Sequence, residues 1–330
     1  MTLRPAIPSG RPSIEADGRA AFAVDVQYYL SQDPKQLPSR YLYDALGSCL
    51  FEAICLMPWY PIARAETRLL TAHRREIFGA VPSLERIVEL GGGNGEKLAT
   101  LVAGRGAHRT TLDVHLIDVS STALALSMRA LGKFERVRVV VHEGSYEAGL
   151  SSIRHTRAAA GLTLMLFLGS NIGNFDPPGA EEFLRDIRAA LAPGDFFLLG
   201  ADLVKPEPVI QLAYDDPLGI TAAFNRNLLV RINRELDGDF DLSSFAHLAR
   251  WNESESRVEM HLVSLKRQVV RIDLAALEIT LDQGESIWTE SSYKYDPDAL
   301  GTMIERAGFE RAAQWIDAVD RFALTLVEAI

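Results

Sequence analysis

The sequence predicts an α/β fold: a mostly parallel sheet covered by helices on both faces, with a second lobe assembled from the N-terminal segment and an insertion. Three observations predict it. Between residues 85 and 200, short apolar runs alternate with helical stretches, the rhythm of repeated strand–helix units. The first run, Arg86-Ile87-Val88-Glu89-Leu90, leads straight into a glycine turn, Gly91-Gly92-Gly93-Asn94-Gly95, and on into a helix. The rhythm stops after residue 205 and resumes near residue 297, as a sheet interrupted by an inserted lobe would read.

Taken in order, residues 1–18 hold Pro5, Pro8 and Pro12 with no apolar core and are expected to be loosely ordered. Residues 19–61, rich in tyrosine and proline, lack clear strands and are assigned to the second lobe. A helix over 63–79 draws its apolar face from Leu69, Leu70, Ile77 and Phe78. Strands follow at 85–90, 112–117, 137–142, 163–168 and 195–200, with helices at 96–104, 120–131 and 179–191. A run such as Thr163-Leu164-Met165-Leu166-Phe167-Leu168 shows no polar alternation, which fits a strand buried on both faces. Pro193-Gly194 turns the chain into the fifth strand.

Residues 207–250 read as helical. Over 257–280 the period shifts to two, with Val258, Met260 and Leu262 alternating with Glu259, His261 and Val263, which predicts antiparallel strands and a solvent-facing His261. A helix over 297–307, closed by Gly308, precedes two final strands at 309–317 and 321–328. The division that results is 62–204 plus 294–330 for the sheet, and 19–61 plus 205–293 for the lobe.

Composition narrows the function. The 330 residues, 48% of them hydrophobic, suffice for one large α/β domain or two modest ones. The net charge of −10, from 44 acidic and 34 basic residues, supplies no basic surface for a nucleic-acid backbone. No apolar run reaches the length of a membrane span, and no signal peptide is visible. Two cysteines, Cys49 and Cys55, make neither a disulfide framework nor a metal set, so a reducing, cytoplasmic setting is expected. The seven histidines form no metal-binding spacing, and no G-x-S-x-G elbow is present.

The glycine turn carries the first chemical signal. Gly91 and Gly93 match the opening of a dinucleotide fingerprint, but its third glycine position falls on Glu96, which would repel a pyrophosphate. A phosphate-free adenosyl ligand such as S-adenosylmethionine meets no such repulsion. Asp118, at the tip of the second strand, is placed to accept both ribose hydroxyls; its bland reading is an acid at the start of the next helix, which Ser120 or Ser121 would cap. The closing strand pair favours a methyltransferase sheet, with one antiparallel strand inserted beside the parallel ones. After the fourth strand, Gly169-Ser170-Asn171-Ile172-Gly173-Asn174-Phe175 reads equally as a ligand-contacting loop or as ordinary Asx turns.

Several further motifs stand together: Tyr41-Leu42-Tyr43-Asp44-Ala45-Leu46-Gly47-Ser48, Tyr60-Pro61 with Glu66, Glu89-Leu90-Gly91, and Phe167 to Asn174. Beyond them lie Ala213-Tyr214-Asp215-Asp216, Ala223-Phe224-Asn225-Arg226-Asn227, Trp251-Asn252, Glu259-Met260 and Thr289-Glu290-Ser291-Ser292-Tyr293-Lys294-Tyr295. On these the chain, from about residue 20 to the C-terminus, resembles the histidine-specific N-alpha-methyltransferases of ergothioneine biosynthesis. The resemblance implies a class I, Rossmann-like methyltransferase sheet, S-adenosylmethionine as cofactor, a monomer, and three methylations of the α-amine of L-histidine to give hercynine. It implies that Tyr60 and Asn174 hold the backbone groups of the amino acid at the reacting end. Tyr43, Tyr214, Met260, Glu290 and Ser292 would surround its side chain, Glu290 and Ser292 facing the two imidazole nitrogens and Tyr43 reaching the ring through water. The cofactor set would be Gly91, Gly93, Lys97, Asp118, Ser145, Tyr146 and Gly169. The glycine turn departs from the family at Gly92, Asn94 and Gly95, where small hydroxyl residues are common, and Ser145 replaces the family's acid.

An imidazole offers two nitrogens, one or both protonated, and a carboxylate with a hydroxyl can satisfy both. Glu290 and Ser292 are two residues apart and share one face if their segment is extended. Other acceptors remain open alternatives at this point, as does a sensor that binds the cofactor without turnover.

Overall fold

The computed structural model describes residues 14–106, 110–155 and 161–330. The chain opens with helix α1 (Ile14–Leu30), a two-residue strand β1 (Lys35–Gln36), and helices α2 (Ala45–Leu56) and α3 (Ile62–Ala80). The alternating section follows as β2 (Leu84–Leu90), α4 (Glu96–Val102), β3 (Leu112–Asp118), α5 (Ser121–Leu131), β4 (Val137–Glu143), α6 (Tyr146–His155), β5 (Leu162–Phe167), α7 (Pro177–Ala190) and β6 (Phe196–Asp202). Next come α8 (Glu207–Tyr214), α9 (Ile220–Leu236) and strands β7 (Phe245–Asn252), β8 (Arg257–Ser264), β9 (Gln268–Ile272), β10 (Leu277–Leu281) and β11 (Ser286–Tyr293). Helix α10 (Pro297–Arg306) and strands β12 (Phe309–Asp317) and β13 (Phe322–Ala329) close the chain.

Seven strands form the main sheet in the order β12-β13-β6-β5-β2-β3-β4. Strands β2 to β6 pair in parallel, while β13 runs antiparallel between β6 and β12. This is the expected class I methyltransferase arrangement. Alternation along each strand feeds two apolar layers. Leu164 and Leu166 of β5 pack with Leu69, Leu98 and Leu124 on one face. Met165 and Phe167 pack with Phe183, Ile187 and Leu300 on the other.

A second sheet, β1-β11-β8-β7, lies against α8 and α9, and β9 with β10 forms a separate hairpin. Its inner face carries Val258, Met260 and Leu262, as the period of two predicts.

Three expectations need correction. Residues 14–18 are the first turn of α1, because nothing after Pro12 breaks a helix before Gly18; residues 1–13 lie outside the described residues. Helix does not persist to 250. It stops at Asp237, which takes a left-handed conformation (φ 52°) ahead of Gly238, and Phe245–Asn252 pairs with β8 as an outer strand. His261 does alternate away from the inner face, but it is buried. A polar cluster covers that side: His261 stacks on Trp288, with ring centroids 5.9 Å apart, and Glu259 binds Arg250, Arg257 and Asn252 around it.

Helix α3 ties the N-terminal segment to the sheet. Its buried stripe is Ile62, Ala65, Glu66, Leu69, Leu70 and Ile77, so one carboxylate sits in an otherwise apolar face. Glu66 is fully buried there, and both its oxygens accept the Gly169 N–H at 2.9 Å. Gly200 of β6 makes room for it: a Cβ at that position would sit 2.0 Å from Glu66 Oε1. Gly200→Ala is therefore expected to destabilise the chain by about 2 kcal/mol through overpacking, seen as a lower urea midpoint with an unchanged slope.

Candidate active site

The carboxyl ends of β2, β3 and β5 converge on one crevice, where open α/β sheets bind ligands. Gly91, Gly93 and Gly95 take positive φ of 69°, 58° and 76°, a region costly for residues with a Cβ. Gly91 is also the site of a close approach. A Cβ there would lie 2.5 Å from the Tyr146 hydroxyl and 3.2 Å from the Asn171 amide nitrogen. The Tyr146 ring is held edge-on to Phe167, centroids 5.4 Å apart.

Asp118 ends β3 and accepts the Ser120 N–H at 2.9 Å. Burial raises its pKa, against the pull of the Ser120, Gly93 and Val119 N–H groups. Ser120 caps α5 through the Ala123 N–H, as expected. Glu96 is exposed beside the turn. Asn94 binds Glu52, its side-chain nitrogen donating at 2.8 Å.

Lys97 enters from α4 and pairs with Glu66 at 2.7 Å. Burial works against its ammonium, but Glu66 outweighs burial and holds the pKa above the ordinary lysine value. Glu89 lies beneath Gly92, one oxygen 2.3 Å from where a Cβ would stand, and its Oε2 is buried without a hydrogen-bond partner. Burial pushes its carboxyl up to about 8, with Lys97 opposing and Asp118 and Glu66 adding to the rise.

This donor set fits S-adenosylmethionine. Gly93, with nothing closer than 3.9 Å to where its Cβ would stand, leaves room for a ligand against the backbone, Asp118 can accept from ribose hydroxyls, and the orphaned Glu89 oxygen favours a cation. A pyrophosphate would meet Glu89, Glu96 and Asp118 together.

The loop after β5 leads from this crevice to a second cleft. Gly169 (φ 78°) and Ser170 (φ 60°) turn the chain, and the Ser170 hydroxyl accepts the Asp202 N–H at 2.9 Å. Residues Asn171–Asn174 then form a short 3-10 helix packed on β11, where a Cβ on Gly173 would lie 2.7 Å from the Tyr293 carbonyl oxygen. The cleft holds about 470 Å³ of empty space including its open mouth, lined by Tyr43, Phe51, Tyr60, Gly169, Asn171, Asn174, Tyr214, Phe224, Met260, Glu290 and Ser292. Aromatic rings wall one side. Tyr43 lies 5.4 Å from Phe51 and 5.5 Å from Phe224, and Tyr60 lies 6.2 Å from Tyr214. Burial, reinforced by neighbouring acidic groups, holds the Tyr43 and Tyr60 hydroxyls well above the ordinary tyrosine range, so both stay neutral donors.

The other side is β11. Glu290 stands opposite Met260 across the strand pair, after a register shift between Trp288 and Glu290. Glu290 and Ser292 share the cleft face of an extended strand. Burial pushes the Glu290 carboxyl up to about 7, with Lys294 opposing.

A model of the family described as "Histidine-specific methyltransferase, SAM-dependent" matches residues 22–329. The chain belongs to that family. It is 40% identical to a histidine N-alpha-methyltransferase of Mycobacterium tuberculosis over 317 residues, covering 94% of this chain and 96% of the relative. Ergothioneine biosynthesis protein 1 of Neurospora crassa is 26% identical over 289 residues, 86% of this chain and 32% of that longer protein. An L-tryptophan methyltransferase of Psilocybe serbica is 25% identical over 324 residues, 89% of this chain and 88% of the relative. S-adenosylmethionine is the cofactor of this methyltransferase.

Within this histidine-specific methyltransferase, the structure brings Tyr43, Tyr60, Asn174, Tyr214, Met260, Glu290, Ser292 and Gly169 into one cleft. Gly91, Gly93, Lys97, Asp118 and Tyr146 gather at the crevice beside it. Ser145 stands apart: it is exposed and its hydroxyl accepts the Ala148 N–H at 3.4 Å, at the start of α6. Sequence reasoning assigned no role to Glu66, Glu89, Phe51, Phe224 or Lys294. The signal for Glu66 was present, a carboxylate on the apolar stripe of α3. Support for Tyr43 was also missed. Its neighbour Asp44 caps α2 through the Gly47 N–H and takes the Asn227 amide and the Arg234 guanidinium, each at 2.7 Å, from α9.

A carboxyl raised to about 8 adds stability below the unfolded value near 4.5 and loses it as pH rises through 8. In the ligand-free chain, Glu89→Gln is expected to raise Tm relative to wild type at pH ~9 and to give a smaller gain at pH ~6, measured by scanning calorimetry.

Proposed function

We propose that this chain transfers methyl groups from S-adenosylmethionine to the α-amine of L-histidine, three times in succession, giving the trimethylated betaine hercynine. The observation that carries this reading is the shape of the acceptor cleft. Glu290 and Ser292 face it from one strand, Tyr60 and Asn174 line it as well, and the Gly169–Asn174 loop joins it to the glycine crevice. A carboxylate and a hydroxyl suit an imidazole. An indole has one N–H and would leave one of them unpaired, at a cost of about 1–3 kcal/mol.

The cofactor, when bound, supplies an electrophilic sulfonium methyl. The residues of the chain supply alignment, the largest part of catalysis for such a displacement. Asn174 accepts a hydrogen bond from the α-amine through its side-chain carbonyl and aims the nitrogen lone pair. Tyr60, kept neutral by burial, donates to the substrate's backbone groups. The amine reacts in its neutral form, and its proton leaves to ordered water. Gly169, which lines the cleft, leaves space for a nitrogen that grows by one methyl per round. In this reading the segments 19–61 and 205–293 form the amino-acid lobe, and the enzyme acts as a cytoplasmic monomer on a free amino acid. Ser145 contacts the cofactor at most through its hydroxyl.

Release of S-adenosylhomocysteine measured across the amino acids is expected to peak at histidine, with mass spectrometry showing three added methyl groups. Monomethylhistidine as the sole product of exhaustive reaction would sink the trimethylation and leave the methyl transfer standing. Asn174→Ala is expected to lower kcat about 100-fold while leaving cofactor affinity within about threefold, because the residue acts on the acceptor.

A further inference from the structure

We propose that Lys294 is a positioning residue that fixes the hydrogen-bond polarity of the side-chain pocket, so that the site takes its acceptor as an uncharged imidazole with the bare nitrogen toward Ser292 and the N–H toward Glu290. The proposal rests on the histidine reading above and goes on to specify the protonation state and tautomer.

Lys294 is fully buried behind the cleft wall. Its ammonium contacts Tyr214 Oη at 2.7 Å, Ser292 Oγ at 2.9 Å and Asp202 Oδ2 at 3.1 Å. An ammonium has three protons and no lone pair, so all three contacts run outward from it. Tyr214 donates in turn to Ser292 Oγ at 2.8 Å. Both lone pairs of Ser292 are then engaged, and its own proton is left for the cleft that Ser292 lines. Reversing the Tyr214–Ser292 bond does not change the count. The two hydroxyls hold two protons, one lies between them, and one remains for the cleft.

Glu290 presents the opposite polarity. Among the described residues no group donates to its carboxylate, which faces the same cleft. The wall therefore offers one donor and one acceptor. A neutral imidazole matches both; an imidazolium would aim a proton at a donor.

Charge balance points the same way. Asp202 faces two ammonium groups, Lys294 and also Lys205, the latter at 2.6 Å. Burial works against the Lys294 charge, yet Tyr214 and Asp202 hold its pKa above the ordinary value. Ionised Glu290 balances the surplus positive charge, while Tyr43, Tyr60 and Tyr214 face the cleft as neutral hydroxyls. A neutral ring closes the site without net charge.

The test uses the trimethylated histidine, whose quaternary nitrogen cannot titrate, bound to the full chain with S-adenosylhomocysteine present. Calorimetry in buffers of different ionisation enthalpy is expected to show proton release near pH ~6, from the ring (about 6.5 when free) and from Glu290 together, and almost no proton exchange at pH ~8. From the ring alone, affinity near pH ~6 should be about fourfold below that at pH ~8, and lower still because Glu290, raised to about 7, must also give up a proton. Uptake of about one proton at pH ~8, as a ring bound in its charged form requires, overturns the proposal. Failure to bind at any pH overturns the histidine reading itself, and this proposal with it. Lys294→Met is expected to weaken binding about tenfold at pH ~8, to shrink the proton release, and to keep kcat within about threefold. Lys205 still pairs Asp202 in that variant. A purely structural role for Lys294 would lower kcat and Tm and leave the proton release intact. If Lys294→Met does not fold, Tyr214→Phe carries the same expectation for proton release, because Ser292 then regains a lone pair with which to accept.

Discussion

The buried carboxylate of Glu66 is the constraint on which the rest of the site depends. It comes from α3, takes the Gly169 N–H with both oxygens, and pairs with Lys97 of α4. One side chain thus fastens the helix that follows the N-terminal segment to the loop after β5 and to the helix after the glycine turn. A charge buried this deeply persists only where its partners are complete. The chain supplies one N–H shared by both oxygens, an ammonium, and the bare backbone of Gly200 to make room. Moving any of the three elements would strand a charge, so crevice and cleft are held in one geometry relative to each other.

From that fixed point the division of labour follows. Glycine-rich backbone and carboxylates define the donor end; aromatic rings, Glu290 and Ser292 define the acceptor end. The Gly169–Asn174 loop belongs to both. Asn171 approaches Gly91 on one side and lines the cleft on the other. Its positive-φ residues Gly169 and Ser170 are stabilised by Glu66 and by the Asp202 N–H. Asp202 itself also holds Lys294 and Lys205. The same residue therefore shapes the loop with its backbone and the side-chain pocket with its carboxylate.

Local signals made much of this legible in sequence. Continuous apolar runs marked the buried strands, glycine spacing marked the turn, and the final strand pair marked the inserted antiparallel strand. The shared face of Glu290 and Ser292 was legible only on the condition that their segment is extended, and nothing local announced the register shift before it. What escaped was set by distance along the chain. Most of β7 fell in a stretch read as helical because its residues do not alternate cleanly, and only pairing with β8 decides its state. Two residues suffice for β1 because β11 lies beside it. Beyond their local contacts, Lys294 reaches Tyr214 and Asp202 and Asp44 reaches Asn227 and Arg234 on other elements, so a buried lysine and a helix cap gave no hint of these roles. His261 was misjudged because alternation says which face a residue takes and not what covers that face.

The departures at the glycine turn and at Ser145 take a different weight once the charges are placed. A neutral Ser145 removes one acid from the donor end, but that residue is exposed and its hydroxyl caps α6. Glu52, Glu89, Glu96 and Asp118 surround the turn, and Lys97 is committed to Glu66. Burial and like-charged neighbours raise Glu89 and burial raises Asp118, so the donor end carries a charge cost while it lacks a cation. A ligand with a fixed positive charge relieves that cost wherever it docks among these acids. Selectivity for a cationic cofactor over a phosphorylated one is therefore built into the field of several carboxylates, and no single contact to the adenine has to carry it.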